Sequence, residues 1–265
     1  MAREAIEKRR RKPLSNRNKL VTAAGGNGTA IQIINDSLTR ADYEARGKAL
    51  GDEMESFGAE QAGFLVLNDN HFEMAGSEFC GNASRAAALL FSIESGKKDV
   101  SFTVSGFDGT VSATVDLHSD TGPFVRCTFP GMPVDVTEVS LDDGQPASIV
   151  DLGGIVHVVI QGAFPVEEKS YTEAHRSITE KFNLGNRNAV GVVWFEKNQD
   201  VILMHPVVWV RAIDTFFYES SCGSGAIAVG RVTNVPSIVQ PTGQTITVGF
   251  NEGTVVLESD MEVVR

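Results

Sequence analysis

No stretch of this 265-residue chain strings together the ~18 apolar residues that a membrane-crossing helix needs, and no charged-then-apolar leader opens it. A soluble protein of the cytoplasm is expected. Cationic charge is short as well: 23 Lys and Arg stand against 34 Asp and Glu, a net charge of −11. Such a surface repels phosphate backbones and anionic lipid, which argues against nucleic acid or a membrane as a partner. Cysteines number three, an odd count that makes no secretory disulfide framework and leaves free thiols in a reducing compartment. His71, His118, His175 and His205 are scattered without metal-ligand spacing, and no glycine motif of phosphate-binding spacing occurs. Neither a metal nor a cofactor is expected.

What is present suffices for a full core. With 42% hydrophobic residues the chain is long enough for two lobes of ordinary domain size. Residues 1–18, MAREAIEKRRRKPLSNRN, are the basic exception and contain Pro13; they read as a solvated tail, with a docking segment as the other reading. From Lys19 the chain states one plan twice. LVTAAGGNGTAIQIIND reads as strand, turn (Gly25, Gly26, Asn27, Gly28) and strand; a helix follows over Arg40 to Met54, then a hairpin, a helix after Cys80 ending at Gly96, and the alternating runs VSFTVSG and GTVSATVDL around a Gly106–Gly109 turn. The second half runs IVDLGGIVHVVI, a helical YTEAHRSITEKFNL, two strands, a helix after Cys222 that stops by Pro236, and another hairpin. The repetition predicts an N-terminal lobe over 19–133 and a C-terminal lobe over 134–265, with the last strand free to return to the first lobe.

Each lobe carries a cysteine in the same setting: SEFCGNASRAAAL around Cys80 and ESSCGSGAIAVG around Cys222. Glycine and small residues followed by an alanine-rich run place both thiols at helix N-termini, where unpaired N–H groups and the helix dipole stabilise a thiolate or bind a ligand carboxylate. Two such thiols facing one carbon across an interlobe cleft could remove a proton from one face and deliver one to the other, inverting a stereocentre with no cofactor. An ordinary thiol of pKa ~8.5 is a weak base for an amino-acid α-proton, so the site must supply electrostatic help at the carboxylate. The alternative, two buried structural thiols, does not explain the duplicated context. Cys127 alternates with Val125 and Phe129 and reads as an ordinary strand core position. Gly81, Asn82, Gly223 and Ser224 are expected to meet the ligand, the latter of each pair through its backbone N–H. Glu60 and Glu219 are placed to bond an ammonium or imidazole N–H; otherwise Glu60 caps a loop and Glu219 tunes its thiol or faces solvent.

The motifs GSEFCGNASR and ESSCGSGA, with AEQAGF (Ala59 to Phe64), GGIVH (Gly153 to His157) and VQPTG (Val239 to Gly243), resemble the cofactor-independent diaminopimelate epimerase superfamily over nearly the whole chain from Lys19. The resemblance implies an α/β (α+β) fold of two pseudo-symmetric lobes, each a curved sheet around a central helix, with Cys80 and Cys222 as the two catalytic bases in the cleft between them. It also implies substrate contacts at Asn27 (otherwise a left-handed turn residue) and Asn188. Thr242 and Gly243 would close the site, or form a plain hairpin turn. His157 reads as a core histidine or as one standing behind the ligand contacts.

The stretch RAIDTFFYESSC lacks the Glu-Arg pair with which diaminopimelate epimerases hold their substrate, and the Asn of their GNPH is gone from Gly154-Ile155-Val156-His157. SEFCGNA, AEQAGF and the Tyr218-to-Gly225 segment are instead similar to histidine racemases of the superfamily. The expectation is a PLP-independent isomerase interconverting L- and D-histidine, with a small amino acid as its partner and, as in many members, a homodimer. Diaminopimelate, a proline derivative or another amino acid remains the alternative substrate. A non-catalytic amino-acid-binding protein or a thiol redox sensor is the reading from another class.

Overall fold

The computed structural model describes residues 17–199, 201–212 and 214–265, so the basic segment, apart from Arg17 and Asn18, lies outside the described residues. The first half of the chain forms β1 (Asn18–Ala23), β2 (Gly26–Ile34), α1 (Arg40–Met54), β3 (Ala59–Val66), β4 (His71–Met74), α2 (Gly81–Ser95), β5 (Asp99–Val104), β6 (Phe107–Ser119) and β7 (Gly122–Pro130). The second forms β8 (Asp135–Ser140), β9 (Pro146–Asp151), β10 (Val156–Gln161), α3 (Glu168–Lys181), β11 (Ala189–Asn198), β12 (Val201–Val210), β13 (Thr215–Tyr218), α4 (Gly223–Thr233), β14 (Ser237–Val239), β15 (Thr245–Asn251) and β16 (Thr254–Val263). Asn18 belongs to β1, where it pairs with Gln32.

One hydrogen-bonded path runs β1-β2-β3-β4-β5-β6-β7-β16-β15-β14-β12-β11-β10-β9-β8, with β13 on β12. The far end of β16 also pairs with β1, Val21 opposite Val263 and Ala23 opposite Met261. The first eight strands of the path therefore close into a ring, and the rest curl into a second, open arc. β16 is the shared wall. Its Thr254–Asp260 stretch pairs with β7 on one side, and Thr254–Glu258 with β15 on the other.

Each curved sheet wraps a helix that turns almost no side to solvent. Gly81 to Ser92 of α2 and Gly223 to Gly230 of α4 are all buried, the signature of a helix enclosed on every side. Small residues let strands approach closely, while Leu89, Leu90 and Phe91 each add roughly 1.5–3 kcal/mol of apolar burial. By contrast, α1 buries only Tyr43, Gly47, Leu50 and Met54, a single stripe at helical spacing, and covers the outside of the first ring. α2 ends where Gly96 turns left-handed (φ 67) and returns its N–H to Ser92 O.

The glycine-rich turns are shorter than expected. The β1–β2 turn is Ala24-Gly25 alone, and Gly26, Asn27 and Gly28 belong to β2. Close approach explains those glycines: a methyl on Gly26 would sit 2.4 Å from Ser220 Oγ, and one on Gly28 2.1 Å from Gly58 O. Likewise the β5–β6 turn is Ser105-Gly106, with Gly109 inside β6.

Candidate active site

Cys80 and Cys222 are the N-caps of α2 and α4. Both have extended backbones (φ −131, ψ 115 and φ −142, ψ 108), and both accept from the N–H three residues on: Ala83 N to Cys80 Sγ at 3.4 Å and Gly225 N to Cys222 Sγ at 3.3 Å. A sulfur that takes a helix-end N–H is held where partial positive charge favours a thiolate. The helices meet end to end. A methyl on Gly81 would lie 3.1 Å from Gly223 C, and one on Gly223 would lie 2.9 Å from Gly81 C and 3.0 Å from Asn82 N. Close contact thus demands glycine at both positions, with Leu257 Cδ1 only 2.8 Å from a methyl on Gly81 as well.

Each thiol has its own polar collar. Cys80, partly exposed, lies 3.3 Å from Gln61 Nε2 and 3.4 Å from Gln61 Oε1, and Gln61 Nε2 also donates to Thr29 Oγ1 at 2.8 Å. Gln61 reaches the thiol because β3 bulges against β2: Gly28 pairs with Ala59 but Thr29 with Gln61, so Glu60 is the extra residue and two successive side chains serve the site. Cys222 is buried, its N–H donates to Gln240 Oε1 at 2.9 Å, and its sulfur lies 3.6 Å from Ser224 Oγ. Glu219 hydrogen-bonds the same thiol.

Asn27, left-handed at φ 49, ties the lobes together. Its N–H donates to Ser220 Oγ at 3.0 Å and its Nδ2 to Ser221 O at 3.0 Å. Asn82 Nδ2 reaches the same Ser221 carbonyl at 2.9 Å from the other side. Ser220 Oγ in turn donates to Glu60 Oε1 at 3.0 Å. Asn27 Oδ1, Glu60 Oε2 and Glu78 Oε2 are buried acceptors with no hydrogen-bond partner.

Burial and like charge set the electrostatics. Desolvation pushes the Cys80 thiol up to about 12, helped by the Glu219 charge, and raises Cys222 well above its ordinary value for the same two reasons in the same order. Glu219 is pushed up to about 8 by burial, against the bond to Cys222 and with Glu60 and Glu78 adding repulsion. Burial lifts Glu78 to about 6, and raises Glu60 against its bond from Ser220. Glu219 and Glu78 thus act on the thiols and Glu60 acts on Glu219, and each of the three carboxyl groups holds its proton more tightly than in water.

Of the remaining sequence candidates, Thr242 joins the Ser220 network, its N–H donating to Ser220 O at 3.3 Å. His157 is fully buried on β10 opposite Gly191, whose methyl would fall 2.1 Å from Nδ1; neither ring nitrogen has a partner, and burial pulls it down to about 3, so it is neutral. Asn188 is exposed and bonded to Arg211 Nη2 at 3.0 Å. Thr242 and Gly243 form the β14–β15 turn, and the Thr242 hydroxyl donates to Ala24 O at 2.7 Å. Cys127 is buried core of β7. Gln61, Glu78, Arg85, Ser220, Ser221 and Gln240 were not singled out from sequence. Glu78 and Arg85 sit inside the Cys80 motif, and Gln240 inside VQPTG, so their company was the available signal.

Among the described residues no helix is long and apolar enough to cross a membrane, and no group of three or more His, Cys, Asp or Glu could hold a metal ion. A closed ring and an open arc, each around a cysteine-capped helix, define the epimerase-like α+β class. The solved structure of a PhzF-family phenazine biosynthesis protein from Bacillus anthracis shares the fold, with a TM-score of 0.63 at 13% identity over 94% of this chain and 96% of that one. The family model of the histidine racemase CntK N-terminal domain matches residues 27–256. Histidine racemases from two strains of Fusobacterium nucleatum subsp. nucleatum are 31% and 32% identical, each over 70% of this chain and over 72% and 71% of their own lengths. The chain belongs to the histidine racemase family.

Proposed function

We propose that this protein interconverts L- and D-histidine without PLP, passing a proton through Cα between Cys80 and Cys222. The observation that carries the reading is the meeting of two helix N-termini, each capped by a thiol, at the Gly81–Gly223 contact. One sulfur, as thiolate, takes the α-proton: the C–H bond breaks and an S–H bond forms. The opposite thiol then gives its proton to the other face of the carbanion and is left as thiolate. N–H groups at Gly81, Asn82, Gly223 and Ser224, which the sulfurs do not occupy, would hold the substrate carboxylate and the charge that builds on it.

A raised thiol pKa serves this chemistry, since a desolvated thiolate is a stronger base once formed. Glu219 and Cys222 share a hydrogen bond and cannot both ionise cheaply, so the pair is best regarded as holding one mobile proton. Glu60, Glu78 and Glu219 suit an ammonium and an imidazole N–H. A second α-carboxylate, as in diaminopimelate, would meet the repulsion of those three acids, which favours histidine, the substrate named for the relatives. Cytoplasmic residence and a homodimer complete the proposal; light scattering on the purified protein tests the latter, and a monomer would count against it.

The deciding experiment is L-histidine in D₂O under reducing conditions with no cofactor added, following Cα deuteration by NMR and D-histidine by chiral chromatography. Deuterated histidine of both hands is the expected result. Exchange on diaminopimelate alone, or none on any amino acid, refutes the assignment.

A further inference from the structure

Arg85 is the bulkiest of the fully buried side chains, at 0% exposure, and proteins rarely bury a guanidinium without partners. Its Nη2 donates to Asn82 Oδ1, while Nε and Nη1 are buried with no partner. Among the described residues no ion pair includes it. Its position is informative. Arg85 lies in the first turns of α2, and Asn82, which holds it, also bonds Ser221 O and lies against Gly223, where an added methyl would be 2.9 Å from Asn82 Oδ1. One short chain of contacts thus joins the guanidinium to the starts of both helices.

Once ionised, Cys127 of β7, Cys80 at the cap of α2 and Cys222 at the cap of α4 would each favour the Arg85 cation, and Arg85 in turn pulls the Cys127 thiol down against its burial. The acidic residues act on the catalytic thiols instead, Glu219 and Glu78 on Cys80 and Glu219 on Cys222. A buried cation without a carboxylate partner, beside thiols burdened by carboxylates, supplies what thiolate formation lacks. We propose that Arg85 is a positioning residue shared by both half-sites, a fixed cation behind the helix junction that stabilises the thiolate whichever cysteine carries it. The inference rests on the two-thiol reading above. Burial pulls the Arg85 guanidinium down to about 10, which still leaves it cationic at neutral pH, so the support is the same in both directions of turnover.

The test compares wild type, Arg85→Met and Arg85→Lys. Iodoacetamide alkylation across pH is read cysteine by cysteine by mass spectrometry, and racemisation is followed from each enantiomer. For Arg85→Met the alkylation profile of Cys80 should move up by about one pH unit, near tenfold slower at a given pH. Its kcat should fall at least about tenfold in both directions, with KM little changed. Arg85→Lys should show its alkaline fall in rate at a lower pH than wild type, because a buried ammonium gives up its proton before a guanidinium does. A folded Arg85→Met with an unmoved Cys80 profile overturns the proposal, as does a shift confined to Cys127. Should Arg85→Met not fold, Arg85→Lys decides: a rate profile superimposable on wild type to the alkaline limit refutes it. Alkylation needs no substrate, so a wild type inactive on histidine would sink the proposed function while leaving this test intact.

Discussion

Replacing Gly223 with alanine asks whether catalysis depends on the two helices meeting. The new methyl would lie 2.9 Å from Gly81 C and from Asn82 Oδ1 and 3.0 Å from Asn82 N, mostly backbone that cannot swing aside. The helix N-termini must part by a few tenths of an ångström to restore ordinary contact. Overpacking of this kind costs about 1–3 kcal/mol, and at this chain length each kcal/mol lowers Tm by roughly 2–4 °C. Rate should suffer more than stability, since a 1 Å misplacement of reacting groups can cost ~10²-fold; a fall in kcat of about tenfold or more is expected. Gly230→Ala is the control within the same helix. Its methyl would meet nothing closer than 3.4 Å, so better helix propensity should stabilise the protein by up to about 1 kcal/mol with activity unchanged. Circular dichroism melts and the D₂O exchange rate read both variants. Gly223→Ala with wild-type rate and Tm would show that the junction has slack and that the end-to-end contact does not set the thiol geometry.

Cys80→Ser and Cys222→Ser should each abolish racemisation while melting close to wild type, because serine is itself a good N-cap; full activity in either variant would refute the two-thiol mechanism. Glu78→Gln should stabilise the protein only at higher pH. The folded-state pKa of Glu78 is raised from 4.5 to about 6, so the folded protein binds the proton more tightly than the unfolded chain. Stability is then lost as pH rises from about 4.5 through 6, by about 2 kcal/mol once Glu78 is ionised. Melts at pH 8 should favour the glutamine variant and melts at pH 4 should not; an equal difference at both would show that the carboxyl is not ionised against its surroundings.

Local rules were enough to find the helices and the thiols. The bounds of α1, Arg40–Met54, follow from apolar spacing, and the end of α2 follows from Gly96. Cys80 and Cys222 stood out because small residues on the far side of a cysteine mark a helix start. What escaped were partners set by distant pairing. Gln61 reaches Cys80 only because a bulge re-aims β3, and no periodicity announces a bulge. Gln240 meets the Cys222 N–H because a turn far along the chain packs beside α4. Gly26 and Gly28 were read as a turn because glycine clusters usually are, whereas here Ser220 and the Gly58 carbonyl crowd a strand that must therefore carry no side chain. Arg85 was not singled out from sequence, and only its complete burial makes its charge matter.

The same enclosure bears on what the substrate does on arrival. Glu60 Oε2, Glu78 Oε2 and Asn27 Oδ1 are acceptors without donors, and the two thiols are protonated chiefly because burial and the Glu219 charge penalise their ions. A ligand that brings N–H donors and positive charge relieves both conditions together. Its ammonium satisfies acceptors that the protein leaves unmet, and its charge lowers the electrostatic penalty on whichever sulfur must become a base. On the proposed two-thiol mechanism, substrate binding and thiolate formation would be coupled: the thiols would stay protonated in the free protein, and the base would form when the substrate is in place. An acidic amino acid would add charge of the wrong sign and raise the thiol pKa further, so on the proposed mechanism the same three carboxyl groups would both disfavour an extra anionic group and, through the substrate ammonium, activate the base.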